Sequence, residues 1–162
     1  MKNKIVDLAE LKKLAVELKE TGKIIVSTSG CFDILHAGHV NYLEAAKTKG
    51  DVLVLLLNSD LSIKRIKGDE RPIIPEKERA IVVAGLECVD YVCLFNENNP
   101  CKLLEVFKPD LFIKGGDYKG IHIPEMDVLE QYGGHVEYVE FVDGCSSTNI
   151  IEKIKRLNNN VL

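Results

Sequence analysis

A chain of 162 residues with 46% hydrophobic and 28% charged side chains can bury one ordinary core and not two. Its formal charge of −4 argues against a general nucleic-acid surface or an anionic-membrane surface, which need a net basic face. No apolar run approaches the roughly 18 residues of a membrane span, and Met1 to Lys4 lead into an amphipathic pattern instead of a signal-peptide core. The expectation is one cytoplasmic domain over 1–162.

In chain order, Asp7 to Glu20 place Leu8, Leu11, Ala15 and Leu18 on one helical face, and Gly22 ends this covering helix within residues 1–22. A short strand follows at Lys23 to Ser27. The stretch "STSGCFDILHAGH" at 27–39 then turns into a helix over Val40 to Lys49, and "DVLVLLLNSD" reads as a strand buried on both faces. The polar "SIKRIKGDER" follows a short helix. Beyond it come a helix over Pro75 to Glu87, the strand "DYVCLF", a helix over Cys101 to Phe107 and the strand "LFI" at 111–113. The chain closes with a helical pattern around Met126 to Tyr132, a strand at Val136 to Phe141, and a helix from about Ser147 carrying Ile150, Ile151, Ile154 and Leu157. Residues 158–162 read as a frayed tail. Alternating strands and helices imply an α/β class: a single Rossmann-like domain with a parallel five-stranded sheet, helices on both faces and right-handed crossovers.

The five cysteines, Cys31, Cys88, Cys93, Cys101 and Cys145, are odd in number and form no C-x-x-C pair, so they read as reduced thiols. Cys88 and Cys93 lie in apolar runs, as small buried hydrophobes do.

In an open parallel sheet, ligands bind outside the carboxyl ends of the strands, and four glycine-bearing turns fall on that edge. In the first, Gly30 lets the chain bend, Gly38 leaves the helix start open, and the helix N-terminus offers unpaired amides to an anion. His36 and His39, three apart across that turn, can add two donors, which makes a phosphate clamp. Zinc is disfavoured because no Cys, Asp or Glu stands at a companion spacing. Taken alone, H-x-G-H is equally compatible with histidines that serve only the fold, and the dinucleotide fingerprint G-x-G-x-x-G is missing. Lys64, Arg65, Lys67 and Arg71 form either a loop that closes over phosphates or a solvated charged loop. Ser146, Ser147 and Thr148 stand at another helix start, where one hydroxyl caps and the others can hold an anion. Gly115 and Gly116, with Lys114 and Asp117, make either a border for a base or sugar or a plain tight turn. Arg79 by itself reads as an ion-pair partner.

"GCFDILHAGH" resembles the G-x-F-D-x-x-H-x-G-H signature of the cytidylyltransferase-like nucleotidyltransferase superfamily, and "CSSTNIIEKI" resembles its S-S/T-T-x-I-I element. More narrowly, the stretches from Asn58 to Val92, "PDLFIKGGDYK" and "DGCSSTNII" are similar to the adenylyltransferase half of the bifunctional heptose 7-phosphate kinase/heptose 1-phosphate adenylyltransferases. The resemblance covers roughly residues 5–156. It implies transfer of AMP from ATP to D-glycero-D-manno-heptose 1-phosphate, giving ADP-heptose for lipopolysaccharide or other surface polysaccharide, and pyrophosphate. A separate kinase chain and a phosphatase are then expected to supply the acceptor.

The resemblance implies catalytic roles for His36, His39 and Lys67. Nucleotide contacts are expected from Ser29, Gly30, Cys31, Phe32, Asp33, Gly38, Arg79, Lys114, Gly115, Gly116, Asp117, Ser146, Ser147 and Thr148. Substrate contacts are expected from Asp33, Lys64, Lys67 and Arg71, and Mg²⁺ is implied, with Asp33 as the candidate ligand. It further implies a homo-oligomer, with Leu8, Leu11 and residues 90–95 as candidate contacts, and no nucleic-acid or membrane partner. Glycerol-phosphate cytidylyltransferases carry R-T-E-G-x-S-T where this chain has Phe141 and Val142 at the first two places, which disfavours CTP with glycerol 3-phosphate or a related alditol or sugar phosphate. That reaction remains the alternative, and a non-catalytic nucleotide-binding module is the alternative of another class.

Overall fold

The computed structural model describes residues 3–140 and 146–159. Five strands, β1 (Ile25–Gly30), β2 (Val52–Asn58), β3 (Tyr91–Phe95), β4 (Leu111–Gly115) and β5 (His135–Val139), form one sheet in the order β3-β2-β1-β4-β5. Every pairing is parallel. Among the described residues seven α-helices precede, separate and follow these strands: α1 (Leu8–Glu20), α2 (Ala37–Lys47), α3 (Asp60–Lys67), α4 (Glu76–Ala84), α5 (Cys101–Phe107), α6 (Pro124–Glu130) and α7 (Ser147–Asn159). The α/β class, five parallel strands and helices on both faces are those read from the sequence.

The all-apolar β2 explains the layering. Its side chains alternate between faces, so Val52, Val54 and Leu56 pack with Leu11 of α1, Leu104 and Phe107 of α5 and Leu129 of α6. Leu53, Leu55 and Leu57 pack with Leu43 and Ala46 of α2 and Ala80 and Val83 of α4. A central strand covered on both sides has no polar face to show, and β2 is buried throughout. α1 is fixed at its start by a capping box: Glu10 N–H donates to Asp7 Oδ1 (2.8 Å), and Asp7 N–H donates to Glu10 Oε2 (2.9 Å).

The chain builds outward from β1 to β3, then returns to lay β4 on the other side of β1. The strand order therefore reverses between β1 and β4, and their carboxyl ends flank the crevice where such sheets bind ligands. The outer edge of β3 is covered by the N-terminal segment: Val92 N–H donates to Lys4 O (2.8 Å) and Val6 N–H to Val92 O (3.0 Å).

Several boundaries move, and each shift touches the ligand edge. β1 runs on to Gly30 and β4 to Gly115, so Lys114 and Gly115 are strand residues instead of turn residues. α2 begins at Ala37, which makes His36 its N-cap. α3 extends to Lys67, placing Lys64 and Lys67 on a helix, not in a loop. The expected contacts between copies are also corrected: Leu11 and β3 residues Tyr91, Val92, Cys93 and Phe95 belong to the chain's own core. Burial pushes the Cys93 thiol up to about 12, consistent with a small hydrophobe. Cys145, and Phe141 and Val142 of the motif departure, lie outside the described residues, as does the tail from 160.

Candidate active site

Two side chains fix the loop after β1. An ideal Cβ on Gly30 would stand 2.7 Å from Phe32 Cε2, so only glycine lets the Phe32 ring fold back on the strand end. Phe32 itself takes φ 44, a left-handed conformation uncommon for an aromatic residue. Its ring lies 4.9 Å from that of His39. His39 in turn stacks on His36 with centroids 3.7 Å apart and planes 19° from parallel. His39 N–H donates to His36 O (2.9 Å), closing the first turn of α2.

The two imidazoles are unsatisfied. Nδ1 of His36 and Nδ1 of His39 are both buried without a hydrogen-bond partner, which is costly unless something polar arrives. Burial, then the neighbouring His36 and then Lys67, lower His39 to about 4. Burial also lowers His36. Near neutral pH the pair is therefore largely uncharged, and each ring keeps one N–H to give.

A cavity of about 180 Å³ opens between the carboxyl ends of β1 and β4, lined by Ser29 to Phe32, His39, Tyr42, Lys114, Gly115 and Tyr118. Its location is the one that strand reversal dictates. Beneath it, the Thr28 hydroxyl and Tyr42 OH lie 2.8 Å apart and both donate to Ile113 O, at 2.9 and 3.0 Å, tying the two strands and α2 together. Lys114 Nζ pairs with Glu125 Oε1 at 3.2 Å and lies 4.9 Å from the Tyr118 ring centroid. Gly116 to Tyr118 form a 3₁₀ turn instead of a plain tight turn, and Asp117 there is exposed.

The remaining expected residues divide. Lys64 and Lys67 are exposed on α3, and Lys67 is felt electrostatically at His39. Arg65 is taken up by Asn96 O and Asn98 Oδ1. At the start of α7, Ser146 Oγ caps by accepting from Asn149 N–H (3.0 Å), while the Ser147 hydroxyl donates to Ile34 O (3.2 Å). That bond sets α7's first turn against the loop of the histidines, with Thr148 exposed. Gly38 is buried in the first turn of α2.

Arg79 departs from the expected nucleotide contact. Its side chain is wholly buried, and its donors go to Ile74 O, Cys31 O, Asn58 O and Asp60 Oδ1. Four of its five N–H groups are thereby engaged within the chain. Asp33 departs from metal and substrate binding for a similar reason: its carboxylate, 1% exposed, accepts from Ile73 N–H, Ile74 N–H and Arg71 Nε between 2.8 and 3.0 Å. Burial alone would raise the Asp33 carboxyl, but the two amides and Arg71 outweigh it and hold it below its ordinary value. Such a carboxylate does not fit a resident Mg²⁺, which needs an accessible oxygen. Arg71 gives Nε to this carboxylate (2.8 Å) and holds Nη2 at ion-pair distance from it, yet buried Nη2 makes no hydrogen bond among the described residues. Among the described residues, no group of three or more His, Cys, Asp or Glu side chains could hold a metal ion.

Sequence reasoning missed Thr28, Tyr42, Tyr118 and Glu125. Tyr42 falls three residues after His39, on the inner face of α2, a spacing that carried the signal. Glu125 sits in the first turn of α6, and only the tertiary fold brings it to Lys114.

Residues 27–153 match the model of the family described as cytidylyltransferase-like. The chain belongs to that family. Among curated relatives of this cytidylyltransferase-like chain, the "Bifunctional protein HldE" of Geobacter metallireducens is 54% identical over 153 residues, covering 94% of this chain and 31% of the relative. The protein of that name from Geotalea uraniireducens is 52% identical over 152 residues, again 94% and 31%. The chain thus spans about a third of the length of these relatives. The crystal structure of a lipopolysaccharide core biosynthesis protein from Thermoplasma volcanium superposes with a TM-score of 0.62 at 34% identity, covering 75% of this chain and 98% of that one. No helix among the described residues is long and apolar enough to cross a membrane.

Proposed function

We propose that this chain transfers AMP from ATP to D-glycero-D-manno-heptose 1-phosphate, giving ADP-heptose and pyrophosphate. The observation that carries the reading is the stacked His36–His39 pair, with two orphaned buried nitrogens at the N-terminus of α2, beside a cavity at the strand reversal. High identity to proteins named HldE, and a structural neighbour titled for lipopolysaccharide core biosynthesis, support the choice of acceptor.

The residues suit a displacement without a general base. The acceptor is already an anionic phosphate monoester, so one of its oxygens bonds to the α-phosphorus of ATP while the bond from that phosphorus to the bridging oxygen of the β-phosphate breaks and pyrophosphate departs. Nothing has to be deprotonated. The protein's part is placement and charge: imidazole N–H groups and free amides at the helix start face the phosphate oxygens as negative charge spreads over them. Lys67 and Lys64 supply mobile positive charge from α3, and the cavity by Lys114 and Tyr118 takes the nucleoside. Mg²⁺ enters with ATP as part of the substrate. The exposed Thr148 hydroxyl, on the turn anchored by Ser147, is available to a terminal phosphate.

The test is a panel of ATP, CTP and GTP against both anomers of the heptose 1-phosphate and glycerol 3-phosphate, read as pyrophosphate release. ATP with a heptose 1-phosphate is expected to stand at least tenfold above every other pair. Preference for CTP with glycerol 3-phosphate would replace the proposed reaction with the related one, and tight ATP binding without release on any acceptor would replace it with a binding role.

A further inference from the structure

Arg79 is a wholly buried cation that serves neither the cavity nor the histidines directly. It donates Nε to Ile74 O (2.8 Å), Nη1 to Cys31 O (2.6 Å) and Asn58 O (2.9 Å), and Nη2 to Asp60 Oδ1 (2.8 Å). Those acceptors come from four separate places: the lead-in to α4, the loop after β1, the end of β2 and the first turn of α3. Asp33, on the loop after β1, grips the same lead-in through Ile73, Ile74 and Arg71. Ile74 thus gives its N–H to Asp33 and receives Arg79 at its carbonyl.

Burying a guanidinium costs desolvation that a leucine at the same position would not incur. What a guanidinium provides is a rigid fork of donors that stays charged at any pH the protein meets. The segments it joins are those whose spacing matters to the site. The loop after β1 leads to His36 and His39, and α3 ends in Lys67. α3 is held from its far side by Ser62 Oγ to Glu97 O (2.6 Å) and by Arg65. At its start, Asp60 N–H also donates to Glu76 Oε2 (2.8 Å).

We propose that Arg79, with Asp60 and Asp33, is a positioning brace that holds α3, and through it Lys67, at its working distance from the His36–His39 pair. Its effect on turnover rests on the reaction proposed above; its effect on geometry does not. The groups facing His39 are His36 at the same helix start, Lys67 from α3 and the Phe32 ring, with Lys114 of β4 on the same cavity. Lys67 disfavours protonation of His39, so the His39 titration reports how near α3 stands.

The experiment uses the full chain. Arg79→Lys and Asp60→Ala each break one side of a buried ion pair and cost stability. The deciding variant is Asp60→Ala, which cuts the tie to α3 while Arg79 keeps its bonds to Ile74, Cys31 and Asn58, with urea denaturation used to set conditions in which the variant is folded. In the free protein, NMR titration of the imidazoles is expected to show the His39 midpoint rising by a few tenths of a pH unit in Lys67→Ala. Asp60→Ala is expected to raise it as well, and the double variant no further than Lys67→Ala alone. An unmoved or lowered midpoint in Asp60→Ala overturns the proposal. Kinetically, Asp60→Ala is expected to raise KM for ATP about fivefold when Lys67 is present and to change little when it is absent. Equal losses in both backgrounds likewise overturn it. Should the wild type transfer nucleotide to no acceptor, the proposed reaction fails, while the titration still decides on the brace.

Discussion

His36 and His39 stack ring on ring at 3.7 Å, a separation at which two imidazolium ions would repel strongly, so the free protein holds the pair neutral. His39 titrates in the folded chain at about 4 against an ordinary 6.5. Between those values the unfolded chain binds a proton that the folded chain refuses. Stability is therefore expected to fall as pH drops from about 6.5 toward 4, then to become insensitive to this residue below. Thermal unfolding across pH 4–7 checks it, with His39→Gln flattening that part of the profile. A bound triphosphate reverses the local field: with a slowly hydrolysed ATP analogue, the His39 midpoint should move up, as read by NMR.

Removing either imidazole tests the clamp directly. His36→Ala and His39→Ala are each expected to lower kcat by roughly 10²–10³, the usual cost of losing one donor to developing charge. Neither ring donates to or accepts from another side chain through Nδ1, so the folding cost should stay near 1 kcal/mol, measured by urea denaturation. A variant that keeps full turnover would remove that residue from the mechanism.

Gly30→Ala separates geometry from chemistry. The new methyl would sit 2.7 Å from the Phe32 ring edge, and that ring is buried against His39. Overpacking of this kind costs about 1–3 kcal/mol. Because the strain is relieved through Phe32, the stacked pair should shift too, and kcat should fall more than KM rises. Steady-state kinetics on the purified variant distinguish the two.

The fold was legible because its signals are local and redundant. β2 is apolar at every position from Val52 to Leu57, α1 is amphipathic and capped, and strands alternate with helices along the chain. The turn proposed to face phosphate is legible for the same reason, since Gly30, His36 and His39 lie within ten residues. The partners of Arg79 and Asp33 are not legible in the sequence because they are remote: Asp33 meets residues 71–74, and Arg79 meets residues 31, 58 and 60. A charged residue beside a motif looks the same in sequence whether it faces a ligand or a backbone carbonyl. The Lys114–Glu125 pair was hidden likewise, with one member treated as a ligand contact and the other unnoticed.

Asp33→Asn distinguishes a latch from a metal ligand. An amide can accept at one atom only: with its oxygen in the place of Oδ1 it still accepts from Ile73 and Ile74 N–H, but its own N–H groups then face the Arg71 donors that Oδ2 served, so about 1–3 kcal/mol of stability should be lost near neutral pH. The Mg²⁺ concentration for half-maximal rate should remain unchanged; a tenfold rise would put the carboxylate on the metal. Because the folded Asp33 carboxyl lies below its ordinary 3.8, its contribution is complete above that value and is lost as pH falls through the folded one. The wild type and Asp33→Asn should therefore converge in stability in strong acid.

Glu125 and Lys114 allow stability and nucleotide recognition to be pulled apart. Their side chains are 4% and 17% exposed, with 3.2 Å between Oε1 and Nζ. Glu125→Ala strands a poorly solvated ammonium between the Phe112 and Tyr118 rings, and breaking one side of a buried pair typically costs about 3–5 kcal/mol. Replacing both, as Glu125→Leu with Lys114→Met, removes the stranded charge and should recover most of that loss in urea denaturation. Nucleotide binding should not recover, because Lys114 lines the cavity itself. The double variant is expected to fold near wild-type stability with KM for ATP raised about tenfold, the scale of one charge-assisted hydrogen bond. Recovery of both properties together would mean that Lys114 serves only the packing of β4 against α6.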